Sequence, residues 1–364
     1  MKPFITKSYI EPKGIEKLLK KIPEENYLVD VNNLLADKSL DEISAGQIRY
    51  LTEKYKLKDA PQKFKNELMQ MLKDFLIQHL GVPGDEYNDF GSAKKLQNIL
   101  GISDADFGKE YKLQATDIFK KKVSQTLNRT KQYQDEEVAQ FKQLRKQLEL
   151  PDELAGQINS EIRNSIVQNY ITGMISDYRV SPEEVKTYEK LCKDLSVSVS
   201  MDDNSRKTLE KYKKLWNIEN GDLPVCKTEI ILQKGELCHF KTNVQLYENR
   251  KVTTGVNYAG PTYRLKITKG LYYRAGSISA ARKSQDVMTL IDSGVLYITN
   301  KRILFNGNKG NKPIRYNQIV DLTPYSDGVE IVKETGKPHT FIMDYPDGES
   351  LTATIARIIK DNQG

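Results

Sequence analysis

The chain has 364 residues, 56 Lys and Arg against 49 Asp and Glu, with 38% hydrophobic and 29% charged residues. That length fits about two or three folded domains, each with a working core, and the balance excludes fibrous, wholly disordered and membrane-integral classes. No run of about 18 apolar residues offers a spanning helix, residues 1–20 hold no apolar core of a secretory signal, and the three cysteines (Cys192, Cys226, Cys238) form no disulfide framework, so reduced thiols in a cytoplasm are expected.

Residues 1–30 read as an N-terminal extension. Residues 31–220 read as a helical body, rich in Lys, Glu, Gln and Leu, with apolar residues spaced by three and four. This body repeats itself. Leu57, Ile102, Leu150 and Val197 lie 45, 48 and 47 residues apart. Two residues before each stand Tyr55, Leu100, Leu148 and Leu195. Six before stand Leu51, Leu96, Leu144 and Leu191, and nine before, Ile48, Ala93, Phe141 and Tyr188. Those offsets lay apolar side chains along one helical stripe. The last two units match best, Asp135 through Leu150 beside Pro182 through Val197, each with a helix expected ahead of it, at Ile118–Thr126 and Ile166–Ile175. A helix–loop–helix unit cannot bury its stripe alone, so neighbours must stack, with Ser205–Trp216 capping the stack.

The polar turn from Glu219 to Pro224 ends this body, and residues 224–364 change period. Strands are expected at Thr228–Leu232, Tyr263–Thr268, Val295–Ile298, Arg302–Phe305, Val329–Val332 and Thr340–Met343. Turns are expected at Asn306-Gly307, Lys309-Gly310, Asp327-Gly328 and Thr335-Gly336. Leu351–Ile359 reads as a closing amphipathic helix. Leu351, Ile355, Ile358 and Ile359 share its apolar face, and Asp347 or Ser350 caps its start.

Two stretches carry family resemblances. The run Met174-Ile175-Ser176-Asp177-Tyr178-Arg179-Val180-Ser181-Pro182-Glu183-Glu184 resembles the TerB family of tellurite-resistance helical domains. Asp177, Val180, Pro182, Glu183 and Glu184 match its pattern, while Tyr178 replaces the usual Gly. The resemblance covers about 45 residues well and another 45 weakly; it implies an α-helical fold, metal binding through loop acids in some relatives, and a bacterial stress or conflict setting. The second stretch is Val295-Leu296-Tyr297-Ile298-Thr299-Asn300-Lys301-Arg302-Ile303-Leu304-Phe305, followed by Ile314-Arg315-Tyr316-Asn317-Gln318-Ile319. With Lys234-Gly235-Glu236 as an opening motif, it resembles GRAM and bacterial pleckstrin-homology-like domains over about residues 225–362, with an insertion near Tyr247–Ser293. The fold class expected is therefore α+β and multidomain: an all-α helical-repeat domain, then a PH/GRAM-like β-barrel with a C-terminal helix.

Candidate sites follow from charge. Asp177, Glu183 and Glu184 are the candidate metal ligands, although the loop offers few oxygens and lacks the bend Gly of a calcium loop, and helix capping accounts for the same residues. Residues 241–320 hold 14 Lys and Arg against 3 Asp and Glu, whereas 321–364 hold 4 against 8. Lys251, Arg264, Lys266, Lys269, Arg274, Arg282 and Lys283, interleaved with Tyr258, Tyr263, Tyr272 and Tyr273, are the candidate anion- or partner-binding residues. Solvated strand faces give the same pattern.

His79, His239 and His339 stand outside any motif, Cys226 and Cys238-His239 give at most three zinc ligands, and no nucleotide loop, nucleophile elbow or HExxH is present. No cofactor is expected. The sequence thus points to a non-enzymatic cytoplasmic adaptor that binds a protein partner and an anionic membrane surface. A metal-responsive sensor and a nucleic-acid-binding protein are the alternatives.

Overall fold

A computed structural model describes residues 4–19, 21–198, 201–249, 262–268, 271–276 and 288–362. Contacts group the chain into two compact units, Met1–Gln168 with Lys190–Ser198, and Asn169–Glu189 with Val199–Gly364. The helices are α1 (Ile15–Leu18), α2 (Asn26–Asp37), α3 (Ala45–Lys54), α4 (Ala60–Lys63), α5 (Lys65–His79), α6 (Phe90–Leu100), α7 (Asp104–Thr130), α8 (Asp135–Gln147), α9 (Asp152–Met174), α10 (Pro182–Asp194), α11 (Asp203–Asn220) and α12 (Gly348–Asp361). The strands are β1 (Cys238–Asn249), β2 (Thr262–Thr268), β3 (Leu271–Gly276), β4 (Met288–Thr299), β5 (Arg302–Gly307), β6 (Gly310–Arg315), β7 (Ile319–Tyr325), β8 (Gly328–Lys333) and β9 (His339–Met343). The fold is α+β.

The four helix ends aligned in sequence close by one motif. The residue before each anchor is left-handed: Lys56, Gly101, Glu149 and Ser196, at φ 52°, 65°, 49° and 50°. Its amide donates to the carbonyl three residues back. The anchor's amide reaches five back, Leu57 to Thr52, Ile102 to Gln97, Leu150 to Arg145 and Val197 to Cys192, at 2.9–3.1 Å. This paired closure satisfies carbonyls that a helix end leaves orphaned, and it turns the chain so that the apolar anchor comes back onto the helix. Tyr55, Leu100, Leu148 and Leu195, two residues before the anchors, are buried. The helix expected at Ile118–Thr126 lies inside the longer α7, and that expected at Ile166–Ile175 falls in α9 but for its last residue.

Only one of the four left-handed positions is Gly. An L side chain there costs about 1–2 kcal/mol, partly offset by the chain entropy that Gly would add. Replacing Glu149 or Ser196 by Gly is therefore expected to raise stability by about 0.5–1 kcal/mol. Denaturant unfolding checks this, and a loss of stability would contradict it.

The second unit is built on a nine-stranded sheet in the order β2-β3-β7-β8-β9-β1-β4-β5-β6. Neighbours are antiparallel except β3 and β7, which meet in parallel at Tyr273 and Leu322. Among the described residues the hydrogen-bonded order ends at β2 and β6, an open sheet where the sequence reading expected a barrel. The helix α12 takes the role that closure would have had. Leu351, Ile355, Ile358 and Ile359 are at most 3% exposed, packed with Leu246, Ile298, Phe305, Ile314, Ile331 and Phe341 from the strands. Each such side chain contributes about 1.5–3 kcal/mol as an upper bound. Gly348 lets α12 start close against the β7–β8 turn, since a Cβ there would run into the backbone of Tyr325 and Gly328.

One expectation is corrected and one is extended. No strand forms over Thr228–Leu232. Ile231 is 92% exposed; Cys226 and Ile230 instead cover Tyr297, Leu304 and Cys238, and Glu229 binds Lys241 and the Tyr297 hydroxyl. The strand begins at Cys238. Second, α11 packs on α12: Leu215 and Ile218 meet Ala353, and Arg357 donates to the carbonyls of Glu219 and Gly221 at 2.7 and 3.2 Å. It also meets the α9–α10 turn, where the Val180 amide donates to the Tyr212 carbonyl at 3.4 Å and Arg179 donates to Glu219 at 2.6 Å, so it lies against the last helical unit and the C-terminal helix alike.

Candidate anion-binding site

The motif residues of the sheet domain converge, but on one another. Glu236 is buried. Its carboxylate accepts from the Gln233 amide at 2.7 Å, from the Thr299 hydroxyl at 2.8 Å and from Arg302 Nε at 2.9 Å. Burial pushes its carboxyl up, yet these bonds outweigh burial and hold it below the usual glutamate range. Asn300 accepts from the Leu237 amide and donates to the Gly235 carbonyl, at 2.9 and 3.0 Å. Lys301 reaches the Lys234 carbonyl at 2.5 Å, and the Tyr316 hydroxyl donates to the Thr299 carbonyl. The Lys234–Glu236 turn, the Thr299–Arg302 turn and Tyr316 thus form a clasp that joins the start of β1 to the β4–β5 hairpin. These residues hold the fold together.

The candidate metal ligands are spread in the same way. Asp177 accepts from the Arg179 amide at 3.0 Å and shapes its own turn. Tyr178 sits left-handed at φ 61°, the conformation that favours Gly, with its ring edge-on to Tyr212 at 5.7 Å. Glu184 closes a capping box with Ser181, its carboxylate 2.7 Å from the Ser181 amide. Glu183 is exposed. Among the described residues no group of three or more His, Cys, Asp or Glu is placed to hold a metal.

Of the seven candidate basic residues, Lys251, Lys269, Arg282 and Lys283 lie outside the described residues. Arg264 and Lys266 lie on β2 and Arg274 on β3, where the register sets Arg264 opposite Arg274 and Lys266 opposite Tyr272.

A different cationic group does assemble, and the two-residue period of the strands explains it. The inner rows run Phe341, Ile331, Ile314 and Leu246. Two residues further along the same rows come His339, Lys333, Lys312 and Glu248. The face that packs on α12 therefore turns from apolar to cationic at one end. Lys333 Nζ lies 3.0 Å from His339 Nε2, where only an unprotonated ring nitrogen can accept, so the neutral ring carries its proton on Nδ1. His339 Nδ1 is buried without a hydrogen-bond partner, 3.9 Å from Glu248. Lys312 and Lys337 approach the same carboxylate at 4.0 and 3.8 Å. Burial first, then Lys333 and Lys312, push His339 down to about 4, against the pull of Glu248.

Two ammonium groups thus share the Glu248 carboxylate, and a third, Lys333, lies against the other nitrogen of the buried His339 ring. With three ammonium groups against one carboxylate, the group keeps an excess of positive charge that attracts a phosphate or carboxylate oxygen. It also sits where the basic insertion leaves the sheet: Glu248 precedes Asn249, whose register partner is Met288. Sequence reasoning passed over these residues because they come from four strands and form no local motif. The one available signal was a Lys or His two residues beyond an apolar strand position. Comparison of the chain with protein-family models and with curated proteins finds no match.

Proposed function

We propose that the chain is a non-enzymatic adaptor whose PH/GRAM-like second part docks on an anionic membrane surface while its helical part engages a protein partner. The observation that carries this reading is the excess of Lys312, Lys333 and Lys337 over Glu248 at one end of the sheet's inner face, at the root of the basic insertion. Seven strands other than the inserted β2–β3 hairpin, followed by the packed helix α12, support the PH/GRAM-like assignment. No described helix is long and apolar enough to cross a membrane. For the helical part, a groove of about 920 Å³ lies beside α8, lined by Asn88, Phe90, Lys122, Gln140 and Gln147. Its mixed lining suits a protein surface.

Sedimentation with vesicles tests the reading. The chain should partition onto vesicles containing anionic lipid, and less so as salt rises; equal partition onto neutral and anionic vesicles would sink it. Each lysine near an anionic surface is worth about 1 kcal/mol, so the Lys312→Gln/Lys337→Gln double variant should bind about thirtyfold more weakly.

A further inference from the structure

Residues 5–10 run along α2, gripped by its carboxamides. Asn33 accepts from the Lys7 amide at 2.7 Å and donates to the Lys7 carbonyl at 2.9 Å. Asn26 does the same to Ile10, at 2.7 and 2.9 Å. Asn32 donates to the Ile5 carbonyl at 2.7 Å. Between them the Tyr9 hydroxyl donates to Asp30 at 2.6 Å, and the second oxygen of Asp30 takes Lys54 at 2.7 Å and the Tyr55 hydroxyl at 2.8 Å.

The spacing explains the fit. Asn26, Asp30 and Asn33 share one helix face. Seven helical residues rise about 10.5 Å and three extended residues span about 10 Å, so the two carboxamides meet Ile10 and Lys7 on a segment running opposite to the helix. Each carboxamide presents one donor and one acceptor, which is what a strand neighbour would present. The two isoleucines of the gripped segment are open to solvent, Ile5 and Ile10 being 84% and 45% exposed, and Tyr9, 57% exposed, reaches the row through its hydroxyl. Within residues 5–10 what is recognised is the main chain and one hydroxyl; just ahead of them the Phe4 ring stacks on Phe75 at 6.3 Å.

We propose that the Asn26–Asp30–Asn33 row of α2 is a main-chain-reading site for an extended peptide, and that residues 5–10 of a second copy of this chain take the place of its own. The second copy offers the same main chain and the same tyrosine, so exchange keeps every bond. The connection back to α2 does little to prevent release. Among its described residues it forms the four-residue α1 and leaves Leu18, Leu19 and Ile22 86%, 56% and 60% exposed, with Glu24 paired to Lys63 at its far end.

A labelled synthetic peptide of residues 4–12 serves as the probe of the second copy's segment. The resident segment competes at an effective concentration of order millimolar, so the parent chain should bind it weakly. The full chain carrying Lys7→Pro and Ile10→Pro loses both amide donors at exposed positions and should bind the peptide at least about tenfold more tightly. Methylating the peptide nitrogens of residues 7 and 10 should abolish that binding, whereas replacing the peptide's two isoleucines by serine should leave it within about threefold. In sedimentation, the parent should dimerise with rising concentration and the double variant should not. The proposal is overturned if the methylated peptide binds as well as the unmodified one, if a normally folded double variant (by circular dichroism) binds no peptide, or if the parent stays monomeric throughout.

Discussion

Replacing Arg302 by Met is expected to destabilise the sheet unit by about 3–5 kcal/mol, because it strands the Glu236 carboxylate in a buried position. The partner change, Glu236→Gln, should cost less, about 1–3 kcal/mol. It removes the buried charge and leaves Arg302, whose side chain is 23% exposed, able to reach water. This asymmetry distinguishes a fold clasp from a binding site, since in a binding site either loss would affect a ligand and leave stability nearly unchanged. Denaturant unfolding of both single variants and the double variant measures the coupling. The parent has an acid signature too. Glu236 is held below its unfolded range, so its contribution is complete above about 4.5 and is lost as pH falls through the lowered native value. In Glu236→Gln that loss should disappear.

The second large effect is expected from His339. Its native value of about 4 lies below the ordinary histidine value near 6.5. Between those two pH values the unfolded chain binds a proton that the native chain refuses, so stability is full above about 6.5 and falls with pH across the window. The loss amounts to about 3 kcal/mol by pH 4. Thermal or denaturant unfolding from pH 7.5 to 4.5 measures it, and His339→Gln should flatten the curve. A parent curve already flat in that range would contradict the buried, cation-flanked ring. Because the ring stays neutral to about 4, binding to anionic vesicles should not strengthen between pH 8 and 6, as it would if an ordinary histidine joined the cationic group.

Local order was legible in the sequence wherever a single element carried its own signal. The four anchors mark equivalent helix ends because the closing turn needs an apolar residue at that place. Leu351, Ile355, Ile358 and Ile359 mark the buried face of α12 for the same kind of reason. The left-handed residue in each closure was not legible, since Lys56, Glu149 and Ser196 carry no glycine signal. The strand β1 was missed because the polar run Lys241-Thr242-Asn243 interrupts its alternation, while the more aliphatic Thr228–Leu232 attracted the assignment and packs on Tyr297 and Leu304 instead. The motifs that suggested a domain family turn out to bind one another: Glu236 meets Thr299 and Arg302 across more than 60 residues of chain. The cationic group shows the limit most clearly. Glu248, Lys312, Lys333 and His339 are brought together by strand order, which places β1 beside β9 and curls the sheet around α12, and no local spacing encodes that order.

Hydrogen exchange on the full chain, with and without vesicles containing anionic lipid, tests the docking surface most directly. Protection should appear in residues 310–315 and 333–339 and be erased by added salt, with α12 unchanged. Protection confined to the helices between residues 26 and 147, or none on anionic vesicles at low salt, would contradict the assignment of the sheet's cationic end as the membrane-facing side.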